Sequence, residues 1–307
     1  MKRLNNMKIL YTGLKYTNYN PKLGLSFEHN NFYESLIAMD NGAHQIIYFP
    51  FDEIMQSVGR DEMNRRLIEL VKTEKPAFTF FCIFNDEIAK KTLQAIRNLK
   101  ITTTFNWFAD DHWRFVNFSK YWCWYFDFVG TTDSEALPKY QKIGYKNIVK
   151  TQWACNHLAY KPVPTCPPLA GGKQYGVTFV GQSHGSRKKI IDRLTDYGLV
   201  VNCFGGGWSN GRVSQEKMLE IFSNSKINLN LPLSSDMFSL KAFAKLFFYR
   251  RSDVAYNSKN PFLYRLYNPL MWINNLRSLI AKRRGQIKGR TFEVPGTGGF
   301  LLTGDAD

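Results

Sequence analysis

The chain has 307 residues, 44% of them hydrophobic and 15% aromatic, which is enough for two domains with their own cores and too apolar for disorder. Lysine and arginine number 41 against 25 acidic residues, a net charge of +16. Of this, +4 falls in residues 1–160 (20 basic, 16 acidic) and +12 in residues 161–307 (21 and 9), so the second half is expected to meet something anionic.

Apolar runs alternate with helix-period segments from the start. Strands are expected at Ile9–Thr12, Gln45–Pro50, Ala77–Phe84, Ile101–Phe108 and Phe126–Thr131. Helices are expected at Phe27–Asp40, Asn64–Lys72 and Asp86–Leu99. This is the pattern of an α/β fold whose parallel sheet is covered on both faces, with ligands at the carboxyl ends of the strands. Residues 158–175 hold prolines and glycines without periodicity and read as a linker between a first domain, 1–157, and a second, 176–307. The alternation resumes with strands Val177–Gly181, Leu199–Cys203 and Ile227–Leu231, helices Ser186–Tyr197 and Ser214–Ser223, and a last strand at Gly299–Thr303. With four strands and no closing helix, the second domain reads as partial, as if the chain were truncated.

The five cysteines, Cys82, Cys123, Cys155, Cys166 and Cys203, form no CxxC pair, which speaks against a disulfide framework or zinc site and for a reducing cytoplasm. No run reaches the ~20 apolar residues of a spanning helix, and the apolar run before Gly13 is too short for a secretory signal. The P-loop, GxGxxG, HExxH and GxSxG signatures are absent. Four positive signals remain. In FVGQSHGSRKK, a strand ends in Gly181 and Arg187–Lys189 open a helix, either as a phosphate site or as a solvated basic turn. Gly205, Gly206, Gly207 and Trp208 follow a strand, where they either admit a ligand close to the backbone or form a flexible turn. In KGRTFEVPGTGGFLLT, Lys288 and Arg290 stand beside Glu293 and precede Gly296, Gly298 and Gly299, either for a diphosphate and ribose or as a surface ion pair. In NWFADDHWRF, Asp110, Asp111 and His112 end a strand, as catalytic groups or as a helix cap. Glu28 and His29, after the first strand's loop, are further candidates for a base.

The series NWFADDHWRF, TTDSEALPKYQKIGY, QWACN, FVGQSHGSRKKI, GGGWSNGRVS, SKINLNL and IKGRTFEVPGTGGFLLT resembles the spore-maturation-protein-type (CgeB-like) glycosyltransferases, over about Met7 to the last residue. The resemblance implies two Rossmann-like domains facing a cleft, the GT-B fold. It implies metal-independent transfer of a sugar from a nucleotide-diphosphate donor on the second domain to an acceptor on the first, without a cofactor. By position it assigns Arg187 to the donor diphosphate and Glu293 to the donor ribose. The chain departs from the retaining relatives at Gly285, where they carry a second glutamate, which leaves the stereochemical outcome open.

A basic insert, about 232–287, interrupts the second domain. Met237 to Arg290 holds 12 basic residues and one acidic, Asp253. Phe238, Leu240, Phe243, Leu246 and Phe247, and later Phe262 to Ile280, recur at helical spacing. The segment is read as helical, either lying on an anionic membrane through residues 238–285 or packed on its own domain, with nucleic acid ranked last. The expected function is a glycosyltransferase acting on a glycan, polysaccharide or lipid-linked acceptor, cytoplasmic and peripheral on the membrane's inner face. The alternative is a noncatalytic nucleotide-sugar or nucleic-acid binding protein.

Overall fold

The computed structural model describes residues 6–163, 172–232, 240–252 and 262–304. Cys166, Met237, Phe238, Asp253 and parts of the proposed linker and insert lie outside these residues. Contacts divide the chain into two compact units: Met1–Gln152 with Ala244–Ser278, and Trp153–Phe243 with Leu279–Asp307.

The first unit is built on six parallel strands, β1 (Lys8–Gly13), β2 (Gln45–Pro50), β3 (Phe78–Phe81), β4 (Thr103–Phe108), β5 (Phe128–Thr131) and β6 (Ile148–Lys150), in the order β2-β1-β3-β4-β5-β6. Crossover helices bury regularly spaced apolar residues on this sheet. Met63, Leu67 and Val71 of Arg60–Glu74, and Leu93 and Ile96 of Lys90–Leu99, pack into one core with Leu10, Phe81 and Phe126. Truncating any one of them to alanine costs about 2–5 kcal/mol. The strand order reverses between β1 and β3, the position at which a parallel sheet of this kind places its ligands at the strands' carboxyl ends.

The second unit begins with β7 (Tyr175–Val180), β8 (Val201–Phe204) and β9 (Ser225–Asn230). Along the chain there follow helix Leu240–Phe247, an antiparallel ribbon of β10 (Phe248–Ser252) and β11 (Phe262–Leu266), and helix Trp272–Ala281, of which Ala244–Ser278 belongs to the first unit, before the second unit's final strand, β12 (Leu301–Thr303). The sheet β12-β9-β7-β8 is again parallel, with Val180, Phe204, Ile221, Phe222 and Val294 as its core. The α/β class expected from the alternation is the one observed in each unit.

The insert departs from expectation twice. Residues 248–252 and 262–266 are strands, because Phe-Tyr and Phe-Leu-Tyr are β-forming runs whose aromatic spacing also satisfies a helical stripe. Ala244–Ser278 also clusters with the first unit: Asn117 Nδ2 donates to Asn275 Oδ1 at 3.1 Å and Asn274 Nδ2 to Tyr121 Oη at 3.0 Å. No helix among the described residues is long and apolar enough to cross a membrane.

Candidate functional site

In the first unit, Asp52 anchors the loop that follows β1. It is fully buried, and its two oxygens accept from the main-chain N–H groups of Lys15 and Tyr16 at 2.8 and 2.9 Å. Ser26 then caps the next helix, its Oγ accepting from His29 N–H at 3.0 Å. This places Glu28 in the helix's first turn, where burial, reinforced by the charges of Asp52 and Asp110, pushes its carboxyl up to about 7. His29 is buried between Glu34 Oε1, 3.2 Å from its Nε2, and Tyr48 Oη, 3.3 Å from its Nδ1, and burial lowers its pKa.

At the end of β4, the Asp110 carbonyl accepts from Trp113 and Arg114 N–H, so the chain turns into the short helix Asp111–Arg114. Asp110 and Arg114 line a small, partly open pocket with room for about one water molecule, together with Phe84, Trp107, Phe108 and Phe118. The Arg114 guanidinium stacks 4.1 Å above the Phe118 ring. Burial lowers its pKa, and the charges of Asp110 and Glu87 oppose that fall. Asp111 turns inward instead. It is 1% exposed, accepts from Tyr140 Oη at 2.9 Å, and is pushed up to about 6 by burial. His112 is buried as well. Of the three adjacent candidates, only Asp110 lines the pocket.

In the second unit, the loops after β7 and β8 are zipped together. Trp208 Nε1 donates to Gly181 O at 2.8 Å, and Ser183 N–H donates to Gly206 O at 3.0 Å. Gly205 has φ +126° and a Cβ there would lie 2.3 Å from Gly181 O, so this backbone approach requires glycine. Arg187 spans the strand ends: Nε and Nη2 donate to Leu231 O at 3.1 and 2.9 Å, and Nη1 to Gln182 O at 3.1 Å. Arg290 Nε donates to Val180 O at 3.3 Å, so the two guanidinium groups hang on carbonyls flanking Gly181. Burial, then the Arg290 charge, lowers the Arg187 pKa. Glu293, 2% exposed, accepts from Arg290 Nη1 and, at 2.9 Å, from Tyr160 Oη, so each carboxylate oxygen has a partner within the protein. The alternative reading as a surface ion pair does not hold for the carboxylate, which is buried, while Arg290 is half-buried. Lys288 is half-buried on the same segment, and Gly298, φ +70°, turns the chain toward β12.

Asp52, Arg114 and Tyr160 were not anticipated from sequence. Position after a strand could have marked Asp52, whereas Tyr160 lies in the proline-rich stretch read as linker. Among the described residues, no group of three or more His, Cys, Asp or Glu is arranged to hold a metal ion.

No protein-family model and no curated protein sequence matches the chain. Solved structures do. A lipopolysaccharide outer core galactosyltransferase, WaaB, aligns at 14% identity over 78% of each chain with a TM-score of 0.44. A Listeria monocytogenes protein assigned as a UDP-N-acetylglucosamine 2-epimerase aligns at 8% identity over 73% of this chain and 74% of its own, TM-score 0.45. The glycosyltransferase SnogD from Streptomyces nogalater aligns at 12% identity over 78% and 80%, TM-score 0.36.

Proposed function

We propose that this protein is a glycosyltransferase of the GT-B, CgeB-like type, moving a sugar from a nucleotide-diphosphate donor to a hydroxyl of a glycan, polysaccharide or lipid-linked acceptor. The observation that carries the reading is the pair Arg187 and Arg290, held on main-chain carbonyls either side of Gly181 at the end of β7. Two guanidinium groups at a strand end, one of them shared with the Glu293 carboxylate, favour a phosphorylated leaving group, and a guanidinium can take that charge without a metal. On the first unit, Glu28 with a carboxyl near 7 is suited to accept the acceptor hydroxyl's proton, and the Asp110 charge helps hold that carboxyl up. The reading keeps the enzyme in the cytoplasm, with its acceptor presented at a membrane's inner face.

The test is calorimetric titration of nucleoside diphosphates and their sugars into the whole chain. Binding should weaken at least tenfold in Arg290→Lys, which keeps a charge but loses the fork. Binding without sugar transfer to any acceptor would favour the noncatalytic alternative, and no binding would overturn both.

A further inference from the structure

Helix Trp272–Ala281 is inside out. Its buried residues are polar: Asn275 and Ser278 are 4% and 2% exposed. Asn275 is fully engaged there, its Nδ2 donating to Leu246 O at 2.9 Å and its Oδ1 accepting from Asn117. Trp272 packs edge-on against Phe247 with ring centroids 4.9 Å apart, and Leu279 is half-buried. Three further apolar residues point outward: Ile273, Leu276 and Ile280 are 65%, 47% and 50% exposed at helical spacing, with Leu270 83% exposed just before them. The same segment exposes Tyr264 and Leu266, alternate residues of β11. A soluble helix normally buries this stripe. Here amide hydrogen bonds and the Trp272–Phe247 contact dock the helix, and the stripe of Ile273, Leu276 and Ile280 is left to something else.

We infer that this side is a docking face for an anionic phospholipid surface. Charge selects the occupant. Residues 254–290 contain no acidic residue, and Arg277 on the helix and Arg283 just after it are both exposed. The +11 carried by 237–290 would repel the same segment on a second copy. Single-stranded nucleic acid needs several aromatic faces on which bases stack, and the exposed apolar residues of the helix are Leu and Ile, with Tyr264, an exposed aromatic, on β11. An aliphatic stripe with exposed arginine on the same segment fits the boundary between acyl chains and acidic headgroups. The inference is independent of the transferase reading.

The test is sedimentation of the whole chain with vesicles of phosphatidylcholine alone or of equal parts phosphatidylcholine and phosphatidylglycerol. The acidic vesicles should bind it more tightly, and high salt should remove only part of that binding, since the screening length falls from about 10 Å at 0.1 M to about 3 Å at 1 M. Ile273→Asp with Leu276→Asp, both at exposed positions, should keep the melting temperature yet lose the salt-resistant part, at least a tenfold drop in partition. Arg277→Glu with Arg283→Glu should cost more than tenfold on acidic vesicles, at about fivefold per basic residue removed, and leave neutral vesicles unaffected. Unchanged binding by both variants would overturn the inference. So would a concentration-dependent dimer that the aspartate variant abolishes. Nucleotide binding without lipid tests the transferase reading separately.

Discussion

The Tyr160 hydroxyl donates to Glu293 Oε1 at 2.9 Å across 133 residues of sequence, and so fastens the beginning of the second unit to the helix that precedes its last strand. With Arg290 on the other oxygen, the carboxylate is held between an aromatic hydroxyl and a guanidinium. Removing Glu293 would leave Arg290 half-buried without its counter-charge. Glu293→Ala is therefore expected to cost about 3–5 kcal/mol and Tyr160→Phe about 1.5–3 kcal/mol, read from urea unfolding of the whole chain. If Glu293→Ala left stability untouched, the pair would not be structural and the carboxylate would be available for a donor ribose.

Glu28 gives a pH signature. A carboxyl raised from 4.5 to about 7 holds its proton more tightly when folded, so ionising it costs stability. Its contribution is fully present below about pH 4.5 and is lost as pH rises through about 7. Glu28→Gln should therefore be more stable than the parent at pH 8, by up to about 3 kcal/mol, with the advantage vanishing at pH 4. As a base, Glu28 should give transfer that rises with pH through about 7, whereas Glu28→Gln should be slower by about 10²–10⁴ without that limb. A parent rate flat from pH 5 to 9 would remove it from the chemistry.

What the sequence disclosed follows from what makes each element. β1 and β2 carry apolar runs and stand out, as does β4 by its β-forming Thr, Phe and Trp and helix Arg60–Glu74 by its fourfold spacing of Met63, Leu67 and Val71. β6 is three largely exposed residues and carries no such signal. The rule that sites gather at strand carboxyl ends led to Asp110 and Glu28, which the fold does bring close enough to interact. It could not distinguish Asp110 from Asp111, because the inward partner, Tyr140, is 29 residues away. Tyr160 was hidden for another reason: a stretch rich in proline lacks periodicity, yet it can still pack.

The glycines after β8 make separable predictions. Gly205→Ala meets both a positive φ and the Gly181 carbonyl at 2.3 Å, so about 2–3 kcal/mol of stability should be lost and the loops after β7 and β8 pulled apart. Gly206→Ala meets nothing closer than Gln182 Cγ at 3.9 Å and should stay within about 0.5 kcal/mol of the parent. If the loops form the donor site, nucleotide affinity should fall with Gly205→Ala alone. Equal melting temperatures for the two variants would contradict the close approach.

Adjacent Asp110 and Asp111 should respond differently to the same substitution. The Asp110 charge helps hold the Glu28 carboxyl up, so Asp110→Asn should move the acid limb of the pH–rate profile downward while reducing turnover. Asp111 is not among the largest influences on the Glu28 carboxyl. Its amide counterpart can still accept from Tyr140 Oη, so Asp111→Asn should leave the profile in place. Its effect should appear in stability. Burial raises Asp111 from 3.8 to about 6, so ionisation inside the core is costly, and Asp111→Asn should gain on the parent as pH rises through about 6. Thermal melts at pH 4 and pH 8 beside the two pH–rate profiles would decide it. A displaced profile in Asp111→Asn, or an unmoved one in Asp110→Asn, would exchange the roles assigned to the two carboxylates.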